Sequence, residues 1–248
     1  MRVDEAKCFG CEVCVPYCPV EAISMEVNGM AAVDEELCVE CGNCQRAAQD
    51  ICGAFYRPEE SLQWPRVLRA ALSDTSFVSP LPHVKDRGGA GGEKTNDVDG
   101  TFWPGDIGVR VEMGRPNSGV SFRDVEKITK ALAQLGVRFD PAIPTTRIMD
   151  DPAQGTFPEE VLRQRALTVF VLFTTDETGF DGAMEAISNM CKNLGTLTVI
   201  TLNRKVEPGE ELFPTATLDR LGFSLRPNGK VCLGLGRPAF VFSGRKNA

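Results

Sequence analysis

Residues 8–19 read CFGCEVCVPYCP, which sets Cys8, Cys11, Cys14 and Cys18 at steps of three, three and four, with Pro19 directly after them. The spacing recurs. Cys38, Cys41 and Cys44 repeat the first three cysteines 30 residues further on, and residues 22–33 between the copies read as a β-hairpin turning at Asn28-Gly29. The fourth cysteine of the second copy departs from the pattern. Position 48 is Ala48, and the next cysteine is Cys52, followed by Gly53 rather than proline. Eight of the ten cysteines therefore lie between Cys8 and Cys52. Crowded thiols form disulfide frameworks in small secreted domains, but no signal-peptide core fits between Met1 and Cys8. Metal ligation is the expected use of these thiols.

The run C-x2-C-x2-C-x3-C-P resembles that of the bacterial two-cluster ferredoxins. The resemblance covers residues 1–56, under a quarter of the chain. It implies two [4Fe–4S] clusters in a compact pseudo-twofold domain that exchanges single electrons at low potential, as in anaerobic metabolism. In this pattern three cysteines of each run wrap one cube and the fourth serves the other. Pro19 suits the first turn of a short helix. If residues 45–51 are helical, the four extra residues before Cys52 amount to about one turn, and Cys52 keeps the facing of position 48. The expected ligand sets are Cys8, Cys11, Cys14 and Cys52 for one cluster, and Cys38, Cys41, Cys44 and Cys18 for the other. Zinc ribbons also use paired C-x2-C, yet rarely three cysteines at steps of three twice over. Phe9, Tyr17, Phe55 and Tyr56 flank the ligands and are expected to pack over the clusters and keep water off them.

Charge divides the chain. Residues 1–60 carry twelve acidic and four basic side chains, and the remaining residues carry 22 and 23, so the formal charge of −7 belongs to the cysteine-bearing end. Nucleic acid is disfavoured as a partner there, and a redox protein with a basic docking face is favoured. No apolar stretch reaches the roughly 18 residues of a membrane span. The chain is expected to be cytoplasmic, with no membrane partner.

Three regions are expected: a 2[4Fe–4S] ferredoxin domain over 1–60, a linker or extended excursion over 61–104, and an α+β docking or dimerisation domain over 105–248. The middle region is rich in proline and glycine, with one short helix predicted at 65–72. Its RGGAGGEKT stretch lacks the ending of a phosphate loop. Beyond it, Ile107–Met113 alternates as a strand, and Ser121 caps a helix over 122–135. Short elements are expected at 137–139 and 159–164. Residues 167–174 form the strongest strand, followed by a helix over 182–194 and a strand over 197–206. A short helix is expected at 214–221, and 231–235 and 239–242 are candidate strands. From 107 to 206 the order is βαββαβ with an irregular insertion near 141–158. That order defines the ferredoxin-like α+β sandwich, which resembles ACT-like regulatory domains in element order only.

No catalytic constellation emerges. His83 has no identifiable companion, Cys191 and Cys232 read as buried thiols, and Asp150-Asp151 and Glu210-Glu211 read as solvated pairs. The junction holding Arg115, Pro116 and Arg123 can bind an anion at a helix N-terminus, and LGLGRP at 233–238 is a weaker candidate. The leading function is therefore electron transfer, with homodimer formation or membership of a larger complex compatible. The alternatives are a reductase component, or a redox- or ligand-sensing protein, whose C-terminal domain binds a small anionic ligand.

Overall fold

The computed structural model describes residues 1–84, 103–114, 118–204 and 214–224. The cysteine-bearing unit holds β1 (Arg2–Val3), β2 (Ile23–Met25), β3 (Ala31–Val33), α1 (Asn43–Ala48) and β4 (Phe55–Tyr56). β2 and β3 form the expected hairpin, with Met25 opposite Ala31, and Gly29 takes the left-handed backbone (φ 79°) that the turn needs. β1 pairs antiparallel with β4, tying the start of this unit to its end. Its core is thin. Met1, Ala22, Ile23, Ala31, Ala48 and Phe55 pack with Cys14, Cys38 and Cys44. Units of this size seldom bury enough apolar surface to fold unaided, and metal clusters are one common supplement.

The stretch after Tyr56 is more than a linker. A 3₁₀ turn (Glu59–Leu62) leads into α2 (Val67–Ser73), whose residues are almost all buried, and a second 3₁₀ turn spans Pro82–Val84. The sequence VLRAALS offers apolar or small side chains on every face of a helix, which suits burial between two units. Leu68, Ala71 and Val84 join the core of the following unit. The expected excursion is thus a packed bridge as far as Val84, and residues 85–102 lie outside the described residues.

The second unit runs through β5 (Ile107–Met113), β6 (Val120–Ser121), α3 (Phe122–Ala133), β7 (Arg138–Phe139), α4 (Pro144–Ile148), α5 (Glu159–Leu162), β8 (Arg165–Ala166), β9 (Val169–Thr175), α6 (Glu177–Cys191), β10 (Thr198–Arg204) and α7 (Thr215–Arg220). The whole is a mixed α+β chain. Its main sheet has the order β10-β5-β9-β7, and every pairing in it is antiparallel. Val111 pairs with Val171 on one side and Ile200 on the other. Ile107, Val109, Val111 and Met113 line one face. They share a core with Val125, Ile128 and Leu132 of α3 and Phe180, Ala183, Met184 and Ile187 of α6. Each large side chain buried there contributes about 1.5–3 kcal/mol.

Three details depart from the sequence reading. α6 begins at Glu177, five residues before the expected start. Asp176 caps it by accepting from the Gly179 amide at 2.8 Å, and burial of Phe180 outweighs the low helix propensity of Gly179 and Gly182. β5 is buried on both faces, because Ile143, Leu172 and Phe170 cover the side away from the helices. Arg110 and Glu112 sit there as a buried pair at 2.8 Å, with the guanidinium 3.8 Å from the centre of the Phe170 ring. The insertion at 141–158 contains α4. The candidate strands at 231–235 and 239–242 fall outside the described residues. Among the described residues, no helix is long and apolar enough to cross a membrane.

Candidate iron–sulfur sites

The two cysteine loops share one backbone. In the first, Gly10 and Glu12 flank Cys11 with φ of 75° and 59°; in the second, Glu40 and Gly42 flank Cys41 with φ of 56° and 71°. Left-handed residues before and after the central cysteine bend each loop in the way that forms a backbone nest, a concavity that favours anions. Holding glutamate in that region costs about 1–3 kcal/mol, so the surroundings impose it. At Gly10 no side chain fits in any case: a Cβ there would lie 2.4 Å from the Gly29 carbonyl oxygen, which rests on the loop. Amides also reach the sulfurs. Ala22 donates to Cys18 Sγ at 3.1 Å, Ala31 to Cys8 Sγ at 3.4 Å and Glu40 to Cys38 Sγ at 3.5 Å. Such donors favour a thiolate and tune any metal it holds.

The structure groups the cysteines four and four. Burial pushes the Cys14 thiol pKa up, and the neighbouring Cys11, Cys8 and Cys52 add to the rise. In the other set burial dominates again. Together with Cys38, Cys41 and Cys18 it pushes Cys44 up to about 12. Cys18, Cys38, Cys41 and Cys44 line one narrow cleft, whose remaining walls include Met1, Pro19, Val20, Ile23 and Val33. Among the described residues, no three His, Cys, Asp or Glu side chains are placed to hold a single metal ion.

Cys52 reaches the first set by a short route. α1 ends at Ala48, whose carbonyl accepts from the amides of Ile51 (3.2 Å), Cys52 (3.0 Å) and Gly53 (2.9 Å). The backbone thus makes one further turn to Cys52. Gly53, at φ 60°, ends it in the left-handed form typical of a helix C-cap.

Around the second loop lies a buried ion network that the sequence reading missed. The Glu40 carboxylate is 0 % exposed and receives the Met1 ammonium at 2.6 Å, Arg66 at 2.9 Å and Ser61 at 3.3 Å. Burial pushes its pKa up, but the ammonium and Arg66 outweigh that and hold it below the usual carboxylate range. Asp74 pairs with Arg46 at 2.9 Å and Arg57 at 2.7 Å. Arg69 on α2 donates to the carbonyls of Glu35 (2.8 Å), Glu36 (3.2 Å) and Cys38 (2.7 Å), and to Gln164 Oε1 at 2.9 Å. It therefore ties the second cysteine loop to the sheet-bearing unit. Partners 17 or more residues apart leave no local signal; only an arginine inside the apolar run of α2 hinted at it.

Other candidates fare differently. Phe55 is buried beside the cysteines, as expected, whereas Phe9 and Tyr17 point outward at 66 % and 57 % exposure and Tyr56 is 44 % exposed. Beside Phe9, the space over Gly10 is taken by the hairpin tip at Gly29. Arg123 pairs with Glu159 at 3.4 Å on the surface, and Arg115 and Pro116 lie outside the described residues. Asp150 and Asp151 are exposed and hold a turn, accepting from Thr156 Oγ1 at 2.6 Å and from the Ala153 amide at 2.9 Å. Cys191 is half-buried at the end of α6, where burial pushes its thiol up. His83 lies in the Pro82–Val84 turn. Cys232, Glu210-Glu211, RGGAGGEKT and LGLGRP lie outside the described residues.

Residues 1–24 match the model of the 4Fe-4S binding domain family. No curated protein and no solved structure matches the chain. The N-terminal segment, with Cys8, Cys11, Cys14 and Cys18, is thus an iron–sulfur segment of ferredoxin type.

Proposed function

We propose that this iron–sulfur protein is an electron carrier with two [4Fe–4S] clusters, one on Cys8, Cys11, Cys14 and Cys52 and the other on Cys38, Cys41, Cys44 and Cys18. The observation that carries this reading is the cleft walled by Cys18, Cys38, Cys41 and Cys44. A four-iron cube takes one thiolate at each iron, so its ligands must surround a volume rather than converge on a point. The equal nest geometry of the two loops, at an offset of 30 residues, supports a second cube in the first loop. Each cluster, when bound, supplies a site that gains and loses one electron. The chain's own work is to present thiolates, aim amides at the sulfurs and exclude water on the side of Phe55.

The sheet order β10-β5-β9-β7, with α3 packed against α6, supports a ferredoxin-like βαββαβ sandwich for the second unit. We assign it a docking or dimerising role within a larger redox assembly. Anaerobically prepared protein is expected to contain about eight irons and eight sulfides per chain and to accept two electrons. Replacing Cys44 by serine should remove about half of the iron, and so should replacing Cys52. About two zinc ions per chain, or an iron content that either variant leaves untouched, would sink the assignment.

A further inference from the structure

The two sites differ in how the rest of the chain treats them. The second is walled in. Cys38, Cys41 and Cys44 are buried, Arg69 joins the Cys38 carbonyl to Gln164, and Val20 lies so close to Gly119 that a Cβ there would meet it at 2.8 Å. Of its cysteines only Cys18 is partly exposed. The first site faces outward, with Cys8, Cys11 and Cys52 all partly exposed. Three large apolar side chains stand in the open on the segments that bear it or rest on it: Phe9 (66 %), Val27 (109 %) and Ile51 (49 %). Phe9 follows Cys8 and Ile51 precedes Cys52. Val27 belongs to the hairpin tip, which rests on the loop through Gly29 and is bonded to it from Ala31 to Cys8 Sγ at 3.4 Å.

Large apolar groups left exposed on neighbouring segments of a polar surface mark contact sites. The polar groups here are acidic. Glu5, Glu12, Glu26 and Asp50 are exposed in the same segments, and the nearby Lys7 is already paired with Asp4 at 3.2 Å. A partner that buries the apolar centre must answer that rim with cations, which also speeds its approach. We propose that the first cysteine loop and the β2–β3 hairpin tip form the docking surface for a redox protein whose contact face has an apolar centre and a basic rim. The proposal rests on the two-cluster reading. In the step it serves, one electron leaves the first site, which is oxidised, and enters the partner, which is reduced; no bond or proton moves.

The test uses whole protein, assayed for iron before any rate is measured, then reduced and mixed with ferric mitochondrial cytochrome c, whose haem edge is ringed by lysines. The second-order rate constant is expected to fall about fivefold in Val27→Lys, with a weaker dependence on salt. Leu135→Lys introduces the same charge at an exposed apolar position on the sheet-bearing unit and should leave the rate unchanged. Reduction of a neutral quinone should be the same in all three proteins. Equal slowing by both substitutions, or none by Val27→Lys, overturns the docking surface while the clusters stand. Protein without iron overturns the cluster reading, and the docking surface with it.

Discussion

The two cysteine loops have the same spacing and left-handed residues at the same positions, yet one is covered by the chain and the other is partly exposed. The first is met by the β2–β3 hairpin, through a glycine contact, while Phe9 and Val27 stay outside. The second is surrounded by Glu40, Asp74 and four arginines, and through Arg69 it reaches the sheet-bearing unit. Duplication accounts for what the loops share. The difference comes from what each loop is packed against, and it separates a partly exposed loop from one held inside the molecule.

The comparison breaks most readily at Glu40. Glu40→Ala leaves the Met1 ammonium buried without its counter-charge and Arg66 with Glu35 alone, and should cost about 3–5 kcal/mol in denaturant unfolding. Iron should be lost from the second set first, so a Glu40→Ala protein that loses both sets equally would mean the loops are not independently supported. Asp74 sharpens the same point at lower cost. Burial raises its pKa, but hydrogen bonds from Arg57, the Ser76 amide and Arg46 outweigh that and hold it below the usual value. A depressed carboxylate stabilises the fold above its unfolded pKa of about 3.9, and that stability is lost as pH falls through the lower folded value. Asp74→Asn should therefore destabilise by about 2 kcal/mol at neutral pH. The gap between the two proteins should shrink as the pH drops below about 4; melting curves at several pH values check the sign. The smallest effect belongs to the open loop. Gly10→Ala combines a φ of 75° with a contact of 2.4 Å to the Gly29 carbonyl. It should cost about 1–2 kcal/mol and free the hairpin tip, seen as faster amide exchange at Ala31.

The sequence alone was enough for the cysteine pattern, the hairpin at Asn28-Gly29, the Ser121 cap and the strands at Ile107–Met113 and 167–174. Each is a local matter of ligand spacing, turn chemistry or periodicity within a few residues. The one-turn excursion to Cys52 was also legible, since helix geometry carries a facing across four residues. It could not reveal that α2 is an interior bridge, that both faces of β5 are covered, or that Glu40 is a fully buried anion. Those facts depend on groups from 17 to 95 positions away, such as Arg57 on Glu40 and Gln164 on Arg69. Nor did the pattern tell which of its two copies would be exposed. Thiolate spacing is written in the chain, but exposure is set only when the chain folds back on itself and one copy of the loop, not the other, is packed inside.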